Sequence, residues 1–206
     1  MFAVGHLALG YITGKAASLL LKTRLHVSLL FLFSVLPDID LIIPAIPHRG
    51  PTHSLLVCFA FSLPFFIAYR KEAVPYFVAG VQHLLLGDFL TGGGAEIFWP
   101  FSTHSYGLQI HLLSLTNICL EWAFFILSLA WMLKTRDVAV LFQHHKANLL
   151  LTVPAFTILS PIAFKFPLDI PIALLAPHLI YLTLFSASVL IDIKYVIKSF
   201  QFWHKL

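Results

Sequence analysis

The chain has 206 residues, of which 59% are hydrophobic and only 11% charged, where an average soluble domain carries about 25% charged residues. With a mean hydropathy of +0.90 there is too little polar surface to coat a soluble fold of this size, which points to a polytopic membrane protein. The net charge of +4 is small and spread out, so nucleic acid is not an expected partner. The two cysteines, Cys58 and Cys119, sit in apolar runs far from any CxxC, which gives neither a disulfide framework nor a thiolate metal site.

Residues 3–21 form a moderately apolar first segment containing His6 and Lys15; without a basic n-region or a small-residue cleavage site, residues 1–10 are not expected to be a removable signal peptide. Residues 25–36 are apolar but short of the ~20 residues of a spanning helix. Pro47, Gly50 and Pro51 mark a loop. Residues 54–69, interrupted by Pro64, and 73–90, carrying His83 and Asp88, are the next two apolar runs. A longer polar stretch over 91–110 leads to three clear transmembrane candidates at 111–133, 147–164 and 171–193. The expected fold is all-α: a polytopic membrane bundle of about six to seven helices, some short or re-entrant. It forms one membrane-embedded domain over 1–206, with a metal-site half at 1–110 and apolar helices at 111–206.

Most ionisable residues of the first half are His and Asp, and such groups are costly in a bilayer and rarely gather there without a use. Asp38-x-Asp40 follows Pro37 at the end of an apolar run, where proline ends a helix. It reads either as a solvated helix-terminal turn or as two carboxylates whose repulsion a divalent cation removes. In His48-Arg49-Gly50-Pro51-Thr52-His53-Ser54, two imidazoles suited to ligating an ion flank a guanidinium whose planar fork suits phosphate oxygens. An interfacial Arg meeting lipid headgroups would explain Arg49 alone but not the histidines. Thr52 or Ser54 is a candidate helix cap. His83 and Asp88 are ~140° apart on a regular helix, so they do not share a face unless Gly87 loosens the last turn. Gly92 to Gly94 permit sharp turns or close backbone approach, and Trp99 and Tyr106 suit an interfacial belt. Glu121 lies inside the strongest transmembrane run, either pairing with His178 or acting as a structural hydrogen-bonder. His144, His145 and His204 read as surface residues.

Eleven of the thirteen basic residues fall on alternate helix ends if seven helices run in sequence; only Arg49 and Lys165 fall on the other set. Basic residues favour the cytoplasmic side. That bias places the C-terminus in the cytoplasm and the His and Asp residues toward the extracytoplasmic side of a cell (inner or plasma) membrane.

Taken together, Gly5-His6, the LPDID run at 36–40, HRGPTHS at 48–54, HLLLGD at 83–88 with Thr91 and its following glycines, and WPF at 99–101 resemble the YdjM-like family of membrane-bound, predicted metal-dependent hydrolases. The match covers roughly residues 5–101. The resemblance implies distant similarity to zinc-dependent phospholipase C and related nucleases, hence a zinc or other divalent-metal site and phosphoester chemistry.

The expected function is metal-dependent hydrolysis at the membrane surface, with membrane lipids as neighbours and a phosphoester, such as a phospholipid headgroup, as substrate. His6, Asp38, Asp40, His53, His83 and Asp88 are the candidate ligands of one to three ions. Zinc suits this mixed set best, and manganese or iron also accepts it. His48, Asp40 and Arg49 are the candidate catalytic residues: Asp40 to orient or deprotonate the attacking water, Arg49 to steady charge on the phosphoryl oxygens. The competing expectation is a non-enzymatic membrane protein, either a cation or proton transporter with a polar trail through the bilayer or a metal-stapled structural protein with a closed coordination sphere.

Overall fold

The computed structural model describes residues 1–43 and 45–203, except for the side chains of residue 196 and of residues 198–203. His204 and Lys205 lie outside the described residues. Seven helices of nine residues or more dominate: α1 (Ala3–Leu21), α2 (Val27–Val35), α3 (Leu55–Tyr69), α4 (Val74–Gln82), α5 (Leu115–Lys134), α7 (Thr152–Phe164) and α8 (Ile172–Trp203). The short α6 (Asp137–Leu141) follows α5. No strand is present among the described residues beyond two isolated bridges, Thr91 with Ile110 and Ala95 with Tyr106.

Four helical stretches are long and apolar enough to cross a membrane: Ala3–Leu21, Leu115–Lys134, Lys146–Phe164 and Ile172–Tyr195. The 111–133 run therefore becomes helical four residues late, because Ser114 caps α5 by accepting from the Asn117 N–H at 3.2 Å. The nine-residue α2 and fifteen-residue α3 fall short of the ~20 residues a span needs. The seven-step alternation of basic ends therefore does not carry through the first half of the chain.

Helix α1 is apolar on most faces and packs against α2, α4 and α5. Its Gly10 lets α2 approach closely; a Cβ there would lie 1.8 Å from Ser34 Oγ. Small residues permit such contact between membrane helices, where dispersion rather than water exclusion drives packing. The core is aromatic. Phe31 of α2 meets Phe185 of α8 at 4.8 Å between ring centres, and Tyr181 stands edge-on to Phe125 at 5.3 Å. At the far end of α1, Lys15 and Tyr11 both reach Asp137 Oδ2 at 2.6 Å, which ties the turn after α5 to the first helix. Many large apolar side chains on α5, α7 and α8 face outward, including Ile126, Phe156 and Leu179. So large an exposed apolar surface fits contact with lipid rather than water.

Candidate metal centre

Four segments from the first half converge at the start of α1. Helix α2 stops at Val35, where Pro37 opens a 3-10 turn over Leu36–Ile42 that carries Asp38 and Asp40. Pro51 opens a second short turn that delivers His53, and Ser54 then caps α3 by accepting from the Val57 N–H at 3.1 Å. Helix α4 passes at His83 into a π turn, His83–Asp88. In such a turn residue i lies over residue i+5. His83 Nε2 consequently faces Asp88 Oδ2 at 3.4 Å, although a regular α-helix would hold the two side chains apart. The last contribution is His6 from α1, its ring stacked on His83 at 3.6 Å between centres. Gly87 makes room for it; a Cβ there would lie 2.4 Å from His6 Nδ1.

His53 Nε2 and His83 Nε2 each face the same two carboxylates. His53 Nε2 is 3.4 Å from Asp38 Oδ1 and 3.3 Å from Asp88 Oδ2. His83 Nε2 is 3.2 Å from Asp38 Oδ1 and, as above, 3.4 Å from Asp88 Oδ2. Among the described residues, His53 Nε2, His83 Nε2 and Asp88 Oδ2 are buried without a hydrogen-bond partner. Buried polar atoms left this way are expensive.

The other ring nitrogens are committed elsewhere. His83 Nδ1 bonds Ser34 O at 2.7 Å, which makes it the protonated nitrogen and leaves Nε2 with its lone pair. His53 Nδ1 bonds Thr52 Oγ1 at 3.0 Å, which in turn donates to Asp40, and lies 3.2 Å from Asp40 Oδ2. Both histidines thus show the orientation that outer-shell acceptors impose on metal ligands. Tetrahedral bonds of 2.0–2.2 Å to nitrogen and oxygen set donor atoms roughly 3.3–3.6 Å apart. The four observed separations, 3.2–3.4 Å, match that edge. The donor set is one that a divalent cation fits. His6 with His83 and Asp88 forms a further trio whose ligand atoms all lie within 4.8 Å, and Asp40 with His48 and His53 another.

Asp40 stands beside the Asp38, His53, His83 and Asp88 group rather than within it, in its own trio with His48 and His53. It is 3% exposed and sits behind the His53 ring. Its oxygens accept from Thr52 Oγ1 at 2.7 Å and the Arg49 N–H at 3.2 Å, and meet His48 Nδ1 at 3.0 Å. Burial alone would raise the Asp40 carboxyl, but these donors and His53 outweigh it and hold the group below the usual carboxylate range. Thr52, a candidate cap on sequence, is one of the groups that fixes Asp40. Arg49 sits at positive φ, reaches Asp88 Oδ1 with Nη2 at 3.0 Å, and lies against Gly92. The Met1 amine is 3.9 Å from the same Asp88 oxygen.

A cleft of about 110 Å³ opens beside the cluster, lined on its polar side by His6, Asp38, His48, Arg49 and Asp88. The rest of its lining is mostly apolar and comes from both halves, Met1, Phe2, Leu41 and Ile42 from the first and Leu112, Phe156, Phe166 and Leu168 beside Thr157 and Ser160 from the second, a contribution that no motif marks. Glu121 does not bond His178 among the described residues. Its Oε1 accepts the Phe2 N–H at 2.8 Å and Asn117 Nδ2 at 3.0 Å, while His178 Nδ1 donates to Leu174 O. His104 and His111 are exposed. His144 is paired with the buried Asp192 of α8, away from the cluster.

The family model described as YdjM inner membrane protein matches residues 1–168, a stretch that contains every residue of the cluster. The chain belongs to the YdjM inner membrane protein family. No curated protein and no solved structure matches it significantly. Within this YdjM chain the matched region also takes in α5 and α7, beyond the motif-bearing first half.

Proposed function

We propose that the protein is a membrane-bound, metal-dependent phosphoester hydrolase. The observation that carries this reading is the set of unpartnered, buried donors of His53, His83 and Asp88 around Asp38, opening onto a cleft that also holds Arg49. Asp38, His53, His83 and Asp88 would hold the ion, with His6 serving a second one. Zinc suits two imidazoles and two carboxylates. Such an ion supplies Lewis acidity, which polarises a phosphoryl oxygen and acidifies the attacking water.

The remaining work falls to the protein's own groups. Asp40 holds His53 in the tautomer that points Nε2 at the cluster. His48 lines the cleft half-exposed and bonded to Asp40, placed to take up or return a proton. Arg49 is a permanent cation beside the site, suited to charge that builds on phosphoryl oxygens. Lys15, Lys134 and Arg136 lie toward the end of α1 away from the cluster, and because basic residues favour the cytoplasm we place the cluster on the extracytoplasmic side.

A closed, structural staple is the competing reading, because four protein donors can fill a coordination sphere. The half-open cleft beside Asp38, whose side chain is 15% exposed, favours catalysis. The deciding experiment is phosphoester hydrolysis by metal-loaded protein in mild detergent, compared with His53→Ala and Arg49→Ala. Loss of metal and turnover in the first, with loss of turnover alone in the second, supports the reading. Bound metal with no exchangeable water position and no turnover makes it a staple.

A further inference from the structure

The cleft beside the cluster has two chemically different walls. Asp38, His48, Arg49 and Asp88 form one. Leu112, Phe156, Phe166 and Leu168 dominate the other, which also carries Thr157 and Ser160 of α7. Phe156 belongs to α7, Phe166 and Leu168 to the connection between α7 and α8, and Leu112 to the segment just before α5. Phe156 and Leu168 are each 52% exposed. Phe164 and Ile172, which flank Phe166 and Leu168 in the chain at the ends of two membrane-length helices, are exposed as well. A small water-soluble phosphoester would use only the charged wall and would leave the apolar one open to water, an unfavourable arrangement for so much hydrocarbon.

We propose that the substrate is an amphiphile. Its phosphoryl group sits against Arg49 and the His and Asp cluster, and its hydrocarbon chain lies along Leu112, Phe156, Phe166 and Leu168 and leaves the cleft toward the bilayer. The apolar wall, contributed by the half of the chain without motifs, sets the preference for a chain-bearing substrate. This rests on the phosphoester reading of the same site and adds the hydrophobic half of the ligand. Ligand sites commonly combine an apolar lining with a few placed polar groups, and the two walls here divide that labour.

The test uses zinc-loaded full-length protein in nanodiscs, with binding of methylphosphonate and decylphosphonate measured by calorimetry and corrected against empty nanodiscs. Decylphosphonate is expected to bind at least about tenfold more tightly than methylphosphonate. In F156A/L168A that advantage should shrink about tenfold, with methylphosphonate affinity and zinc content unchanged. Because both side chains are half-exposed, the variant is expected to fold; Phe156→Leu, which keeps an apolar surface, should retain most of the advantage. Equal binding of the two phosphonates, or an advantage that persists in F156A/L168A, overturns the amphiphile inference and leaves the hydrolase reading standing. Binding of neither phosphonate by zinc-loaded protein overturns both.

Discussion

His83 and Asp88 face each other, Nε2 to Oδ2 at 3.4 Å, because the backbone between them closes as a π turn rather than an α turn. The wider turn brings the fifth residue back onto the first, and Phe89 N–H reaches Leu84 O to complete it. An inserted residue of this kind aims a carboxylate at an imidazole without breaking the helix. The same turn exposes Gly87 to the His6 ring, so three of the cluster's residues depend on one local irregularity.

Gly87→Ala tests that dependence. The new Cβ would lie 2.3 Å from His6 Cε1, so the ring must leave its stack on His83. Overpacking of this kind costs about 1–3 kcal/mol. Thermal unfolding in detergent should show that loss, and the stoichiometry of bound metal should fall if His6 serves a second ion. Unchanged stability would mean that the His6 ring is not confined.

Arg49 is held from two sides, by Asp88 and by the absence of a side chain at Gly92, where a Cβ would lie 2.2 Å from Nη2. Gly92 also has φ +95°, which L side chains rarely adopt. Gly92→Ala should therefore displace Arg49 and reproduce Arg49→Ala: metal retained, kcat reduced on the order of 100-fold. Steady-state hydrolysis with parallel metal analysis checks this. Loss of metal in either variant would place Arg49 in holding the site together instead.

In the proposed site, proton and cation would compete for the same donors. Burial alone would lower the His53 imidazole, but the nearby carboxylates of Asp38, Asp40 and Asp88 outweigh it and raise the group to about 9. A folded pKa above the ordinary ~6.5 means the proton's stabilisation is complete below ~6.5 and disappears as pH rises through the folded value. Chelator-stripped protein should lose thermal stability as pH rises from 6.5 to 9, whereas metal-loaded protein should not. Since the cation must displace that proton, metal affinity should rise about tenfold per pH unit up to about 9. A metal affinity flat across that range would contradict the arrangement.

Glu121 joins the two halves of the chain, because its Oε1 accepts the Phe2 N–H at 2.8 Å and so holds the start of α1 beside the cluster. Glu121→Gln keeps an acceptor and should be nearly neutral. Glu121→Ala leaves a buried N–H unpaired, at a cost of about 1–3 kcal/mol. Thermal unfolding of the pair separates the two cases; equal losses would show that the charge rather than the acceptor matters.

The membrane class and helix order were legible because apolar runs of about 20 residues have few other uses. The grouping of His6, Asp38, His53, His83 and Asp88 could be anticipated from residue type, since each is an expensive group in an apolar setting. Three things were not. The register of His83 and Asp88 depends on a π turn that no residue pattern announces, Gly87 being the one hint. The place of Asp40 behind His53 depends on Thr52 and the Arg49 backbone, contacts made only once the 48–54 loop folds back on the LPDID turn. The mostly apolar wall of the cleft is built largely from Leu, Phe and Pro, residues common throughout the chain, so nothing in the sequence singles it out. The short α2 and α3 also deprive the charge alternation of the regular ladder that it needs.

Everything proposed for this site requires that Asp38, His53, His83 and Asp88 hold a divalent cation. That requirement is tested most directly by elemental analysis of the full-length protein extracted in mild detergent without chelator, alongside His53→Ala and His83→Ala. At least about one equivalent of a divalent metal, zinc foremost, is expected in the wild-type protein, with its loss in both variants. Metal-free wild-type protein, or the same metal content in all three, would contradict it.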